Sequence, residues 1–447
     1  MTHGRTGMAG DIARAAAVVM LAGVAIIGGA GLAMGTAHAA ARGAEEPAAP
    51  AGGGAAGADD AARRAELASD AAAFDACAEY DAERGVLTFN SPPTAAALRH
   101  LPRVPGLMER TELMLGGEFT VDALKAIVAV DTGLKNLTTL VLSGTGVTFE
   151  ALKALADRDS GPKNLIWLGL FEAQVTDDGL KALAAADTGL KNLTTLYVDV
   201  SSVTADGLKA LAAADTGLKN LTTLELSNAV ITVDHLRALA AADTGLRNLS
   251  TLTLDYTAVD DNGLKALAAA ETSLKNLTTL NLAGSSVTTD GLKALAATDT
   301  GLKNLTTLQL LSTSVTDDGL KALAAADTGL KNLTAITLHG EGITDDGLRA
   351  LVARDTGLKN LTALTLWDTS VTADGIRTLA ATDTGAKNLT SLNLYGNNVT
   401  DDGLKALAAA DTGLKNLATL KLSQTSVTEE GLAAVRARFP GITIKRE

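Results

Sequence analysis

The chain has a single cysteine, Cys77, in 447 residues. That excludes an intramolecular disulfide framework and any zinc cage built on several thiolates. Aromatic residues make up only 3%, so the core implied by 47% hydrophobic residues has to be assembled from Leu, Ala and Val. Positive charge is in deficit, with 38 Lys and Arg against 51 Asp and Glu and a net charge of −13. Gripping a phosphate backbone needs clustered bases, so nucleic acid and anionic membrane surfaces are poor partners. The histidines are His3, His38, His100, His235 and His339. No two of them stand at metal-ligand spacing, and no Ser-His-Asp set is suggested. No glycine-rich phosphate loop follows a strand. These absences read as a non-enzymatic chain that needs no cofactor and no metal.

The N-terminus reads as an address. Arg5 and Arg14 precede an uncharged run from Ala15 to Met34, and Thr36-Ala37-His38-Ala39 fits the small-residue cleavage rule. A signal peptide over 1–39 is expected. An uncleaved membrane anchor is the rival reading, because the run is about as long as a spanning helix. Export to the periplasm, the cell surface or the medium follows from the first reading. Residues 40–60, rich in Ala, Gly and Pro, are expected as a flexible spacer. Residues 61–86 are expected as an N-terminal capping helix, with Arg63, Arg64, Leu67, Phe74 and Tyr80 among alanines. Cys77 on it is either a small buried residue or a reactive thiol.

A 28-residue period governs the rest. Lys/Arg-Asn-Leu recurs with its Asn at 136, 164, 192, 220, 248, 276, 304, 332, 360, 388 and 416, without an insertion. In the unit from Leu193, Leu196-Tyr197-Val198 alternates at the period of a strand. Thr204 is placed to cap a helix, Asp206 suits its N-terminus, and Leu208 and Leu211 share one helical face. Asp215-Thr216-Gly217 reads as the helix stop, with Gly free to turn left-handed. Each unit is apolar on one side only and covers that side by stacking. Degenerate units are expected over 87–134, regular ones over 135–438, and a final strand with a charged tail over 439–447.

The pattern Leu193-x-x-Leu196-x-Val198-x-x-Ser201-x-Val203, repeated with full leucines at Leu221, Leu224 and Leu226, resembles the leucine-rich repeat family. The long helical unit is most similar to its ribonuclease-inhibitor-like subclass. Thr-rich, Cys-poor versions are similar to those of secreted bacterial proteins, and Gly-Leu-Lys-Ala-Leu-Ala is similar to the GALA-type bacterial effectors. The resemblance implies an α/β right-handed solenoid, with about fourteen parallel strands on a concave face and helices on the convex face. There is one departure. The turn position that usually holds Asn or Cys is Thr or Ser at 145, 201, 257, 285, 313, 369 and 425, and Ala173, Ala229, Glu341 and Asn397 elsewhere. An alanine cannot satisfy loop amides, so a side-chain ladder should be interrupted there.

Three motifs imitate chemistry. Asp-Thr-Gly marks aspartic proteases, but those need two such loops face to face, whereas here it recurs at Asp131, Asp187, Asp215, Asp243, Asp299, Asp327, Asp355, Asp383 and Asp411. Asn-Leu-Thr/Ser is a glycosylation sequon, but glycans about 5 Å apart would collide. These asparagines are therefore expected to hydrogen-bond in turns. Asp-Asp-Gly at 177–179, 317–319, 345–347 and 401–403 suits helix starts. Calcium ligation by the column is the alternative.

Copies of the unit differ most at the strand's outward positions. Six aromatics lie at or beside them: Trp167, Phe171, Tyr197, Tyr256, Trp367 and Tyr395. Leu311, His339, Trp367 and Tyr395 share one position in four successive units and should form a stripe about 15 Å long. Glu225, Asp255 and Asn281 lie between the two groups. An apolar stripe with a polar rim reads as a binding site, although strand propensity of aromatics is the plainer account. These eleven residues are the candidate ligand contacts for a protein or peptide partner. Envelope polysaccharide stacking on the aromatics, or a purely structural spacer, are the alternatives.

Overall fold

The computed structural model describes residues 56–128, 136–144, 146–173, 175–199, 202–227, 231–241, 243–423 and 425–446. The expected leader and most of the spacer lie outside them, as do Asp131, Thr145, Ser201 and Ala229.

Fifteen strands form one sheet in strict chain order. They are β1 (Ala78–Asp81), β2 (Val86–Phe89), β3 (Glu112–Gly117), β4 (Thr139–Ser143), β5 (Trp167–Phe171), β6 (Thr195–Asp199), β7 (Thr223–Ser227), β8 (Thr251–Thr253), β9 (Thr279–Asn281), β10 (Thr307–Leu310), β11 (Ala335–His339), β12 (Ala363–Trp367), β13 (Ser391–Asn393), β14 (Thr419–Lys421) and β15 (Thr443–Lys445). β1 and β2 pair antiparallel. From β2 to β15 every pairing is parallel, and along the regular units partners stand 28 residues apart, as in Tyr197 beside Glu225. Among the described residues the sheet is open: β1 pairs with β2 alone, β15 with β14 alone, and every other strand with its two sequence neighbours.

The period explains the layers. Leu196 and Val198 of β6 point inward and meet Leu208 and Leu211 of the helix Ala205–Leu211 in one continuous buried cluster. Each unit repeats that arrangement, so sheet and helices enclose a single leucine core. A fully buried leucine stabilises by roughly 1.5–3 kcal/mol, and no unit could hide its leucines alone. At the N-terminal end the helix Ala56–Cys77 buries Phe74 and Cys77. It stops earlier than expected, because 78–81 form β1. Burial pushes the Cys77 thiol up, which suits a packing role over a reactive one. Asp70, on the same helix, is buried and accepts from Arg99 Nη2 at 2.7 Å and Nε at 3.2 Å. At the other end β15 pairs with β14, and Arg446 reaches Glu429 Oε1 at 2.9 Å.

Polar side chains tie each unit to the one before it. The Lys/Arg-Asn-Leu asparagines do so from Asn192 onward: Asn192 Nδ2 donates to Lys163 O at 2.9 Å and Asn220 Nδ2 to Lys191 O at 2.8 Å. The series runs on through Asn416 Nδ2 to Lys387 O at 3.2 Å. The Asp-Thr-Gly motif ties units as well, with Thr216 buried and its hydroxyl 3.3 Å from Ala184 O. It is not the helix stop that the sequence suggested. The helix before it ends at Leu211, four residues earlier, and Gly217 is not left-handed. Glycine is required there because the preceding unit's backbone passes where a Cβ would be.

The first Asp of each Asp-Asp-Gly bridges forward by 27 residues. Asp177 Oδ1 accepts from Thr204 N at 2.8 Å, and its Oδ2 accepts from the Thr204 hydroxyl at 2.6 Å. That hydroxyl in turn accepts from Asp206 N at 3.2 Å, capping its own helix. Asp317, Asp345 and Asp401 do the same for Thr344, Thr372 and Thr428, and Asp261, in an Asp-Asn-Gly at the equivalent place, does so for Thr288. Both oxygens of the first carboxylate are thus engaged, while the second Asp pairs with the base three residues on at Asp178, Asp318 and Asp346, as in Lys181–Asp178 at 3.1 Å; Lys405 turns instead to Glu430.

The bridging Asp is replaced at Ala205, Val233, Thr289 and Ala373, and after Ala205 a histidine takes over its part. Position 205 is Ala, so Thr232 has no carboxylate behind it. His235, where most units have Gly, supplies Nδ1 to Thr232 N at 3.0 Å and reaches Val203 O with Nε2 at 3.2 Å. At Gly207, Gly291, Gly347, Gly375 and Gly431 the preceding unit's bridging Asp fills that space; Ala205 leaves room for the ring. We therefore expect Ala205→Asp and His235→Gly each to destabilise, and the double variant to recover, with a coupling of about 1–3 kcal/mol. Chemical unfolding of the three variants measures it. Additive losses would sink the compensation.

Candidate functional site

Because side chains alternate across a strand, three columns face away from the core. They are the positions in register with Trp167, Gly169 and Phe171 of β5. All the expected contacts except Tyr256 lie in these columns. Trp167 and Trp367 are outside the buried core cluster, and Trp367 is 37% exposed.

The structure divides them into three groups. Trp167 and Phe171 stack at 6.4 Å with an interplanar angle of 23°, and Phe171 stacks on Tyr197 at 4.0 Å and 17°. The rings close over Gly169, where even a Cβ would stand 2.6 Å from Phe171 Cε2. Tyr197 is left only 9% exposed. It faces outward as expected, but its ring is covered by this chain's own side chains, so this group packs on itself.

The second group is more open. His339 pairs in register with Trp367, and Trp367 meets Tyr395 at 4.8 Å with a tilt of 56°. Leu311 continues the column just past the end of β10, half-buried. His339 Nε2 is 4.0 Å from Asp368 Oδ2. The stripe expected from the sequence therefore forms.

The third group is acidic. Glu225 lies on β7 beside Tyr197, and Asp255 follows β8. Burial, and secondarily the charge of Asp255, pushes the Glu225 carboxyl above its ordinary value; burial does the same to Asp255. Asn281, on the next strand, directs its Oδ1 to Ala283 N at 3.0 Å. Tyr256 stands apart from the columns. It occupies a left-handed turn (φ 52°) and leans over Gly284, 69% exposed.

Sequence reasoning missed a further feature. At the strand starts Asn276, Thr278, Asn304, Thr306, Asn332 and Thr334 begin a shallow trough of about 760 Å³ that runs on to Asn388. The signal was present as the Asn-Leu-Thr repeat, read only as turn chemistry. The turn position of the departure behaves variously. Thr257 and Thr425 donate to carbonyls three residues back, each at 2.6 Å, whereas Ser285 Oγ is buried without a partner. Among the described residues Asn397 bridges units there, donating to Leu366 O at 2.8 Å and accepting from Thr369 N at 3.1 Å. Among the described residues no helix is long and apolar enough to cross a membrane.

The chain is similar to a solved internalin (inlF) from Listeria monocytogenes, with 18% identity over 85% of this chain and 93% of that one, at a TM-score of 0.44. No curated protein sequence matches it. The family profile described as Leucine Rich repeat matches residues 273–296, 301–324 and 385–408. Those matched segments are leucine-rich repeat units, and they lie in the same 28-residue register that runs through the parallel sheet from β4 to β14.

Proposed function

We propose that this is an exported, non-enzymatic binding protein that holds a protein or peptide partner against the outward face of its sheet. Helices pack about 8–10 Å apart and strands about 4.8 Å apart, so stacking should curl the sheet to the inside and make this face concave. The observation that carries the reading is the half-open stripe of Leu311, His339, Trp367 and Tyr395. It is held rigid by the ladders beneath it, which lowers the ordering cost of binding, and Trp and Tyr are the usual anchors of interfaces.

A photo-crosslinking side chain at Thr365 should capture a partner that one at Lys321, on the helical side, does not. Trp367→Ala with Tyr395→Ala should weaken that partner's binding at least tenfold in calorimetry or surface plasmon resonance. Unchanged affinity would move the site off this face. The polar trough at the strand starts favours a second reading, a polymer with a regular repeat such as an envelope polysaccharide. That reading expects retention on cell-wall polysaccharide, insensitive to the Trp367 and Tyr395 changes.

A further inference from the structure

From β5 to β13 the fixed charges in the outward columns are of one sign, and lysines enter them only at Lys421 and Lys445. From Trp167 to Tyr395 no position in register with Trp167, Gly169 or Phe171 holds a lysine or arginine. The acids in those columns, Asp199, Glu225 and Asp255, fall on three successive strands. On the helical side the rule is the reverse: Asp178, Asp290 and Asp318 each have a lysine within 3.1 Å. Among the described residues Glu225 and Asp255 have no ion pair with a base, and partly desolvated carboxylates of like charge are costly for a chain to keep on its own.

What surrounds the acids indicates what would complement them. On one side the Trp167–Phe171–Tyr197 stack ends in register with Glu225 and offers an aromatic wall. On the other side two of the columns are lined by Thr279, Asn281, Thr307, Gln309, Ala335 and Thr337, while the column that joins Asp255 to Trp367 holds Ala283, Leu311 and His339. Short and polar side chains there leave a shallow floor with hydrogen-bonding groups, and beyond it stands Trp367. From the strand of Asp255 to that of Trp367 is four strand steps, about 19 Å, which an extended chain crosses in roughly six residues.

Resting on the binding reading above, we propose that the sheet face takes an extended segment of a partner that crosses the strands, with a lysine or arginine over Glu225 and Asp255 and an apolar residue about six positions away on Trp367 and Tyr395. A cation there returns to both carboxylates the stabilisation that burial removes, and its alkyl stem lies along the aromatic wall. The raised carboxyl values accord with this, since they mark a charge that the free protein holds poorly.

Random twelve-residue peptides displayed on phage, selected on the full chain, test it. The selected peptides should be enriched several-fold in Lys or Arg five to seven positions from an aromatic or aliphatic residue. Synthetic copies should bind Glu225→Gln/Asp255→Asn at least tenfold more weakly and lose affinity with added salt. The two amides keep shape and remove charge, so this variant should melt no lower than the parent, which separates lost recognition from lost folding. Peptides that lack a basic preference, or that bind parent and amide variant within twofold, overturn the proposal. If those peptides still lose affinity with Trp367→Ala/Tyr395→Ala, the sheet-face reading stands without it. If neither pair of changes matters, or if no peptide is selected, both fall.

Discussion

Gly245→Ala should destabilise the chain by roughly 2–4 kcal/mol, read as a lowered denaturant midpoint. A methyl group there would stand 2.5 Å from Ala213 O and 2.6 Å from Thr216 Cγ2 of the preceding unit. The first contact is backbone, so it yields only if two units move apart, and the Gly245 N to Ala212 O bond of 2.9 Å opposes that. Elsewhere Gly→Ala gains about 0.4–1 kcal/mol by restricting the unfolded chain. Gly116 supplies the internal control: its φ is not positive and the nearest atom to an added Cβ is Thr88 Oγ1 at 3.9 Å. Gly116→Ala should be neutral or slightly stabilising. Equal effects at the two sites would show that inter-unit approach is not what requires Gly245.

The second large effect is expected at the forward-bridging carboxylates. Asp261→Ala removes the acceptor for Thr288 N at 2.8 Å and for the Thr288 hydroxyl at 2.7 Å, and should cost about 2–3 kcal/mol at neutral pH. The loss should itself depend on pH. Burial opposes ionisation of Asp261, but the bonds from Thr288 outweigh it and hold the carboxyl below its ordinary value of 3.8. A lowered folded value contributes stability that is present above 3.8 and is lost as pH falls through the lowered value. Asp177 and Asp401 behave alike. Glu225 and Asp255 run the other way, because raised folded values make their ionisation a cost that grows as pH rises past the ordinary carboxyl range. Denaturant midpoints at neutral pH and near pH 3 should therefore differ less for Asp261→Ala than for the parent. An equal acid loss in both would remove the bridge from the account.

Much of this was legible in the residues. The Asn recurrence gave the unit length, and the leucine alternation gave the strand and the helical face. The aromatic stripe at 311, 339, 367 and 395 follows from register alone, because a sheet of sequential parallel strands aligns residues one period apart. The forward bridge was also written in the sequence, as Asp and Thr separated by one residue less than the period. It was read as a local helix start because dipole and capping rules consider one helix at a time. The same habit made Asp-Thr-Gly a helix stop, although its glycine answers to the neighbouring unit's backbone.

By itself the sequence determined the solenoid: a strict period with one apolar side admits no other way to hide its leucines. It also determined which residues face outward, since strand alternation leaves no choice. Only the tertiary structure decided which of them remain available. Tyr197 and Trp367 are both outward aromatics, yet Phe171 stacks flat over one, whereas Tyr395 only tilts against the other and leaves it exposed. The difference lies in rotamers and in the bare backbone of Gly169, across which two rings fold together. Likewise the desolvation of Glu225 and Asp255 depends on what crowds each carboxylate in space, a quantity that no spacing along the chain contains.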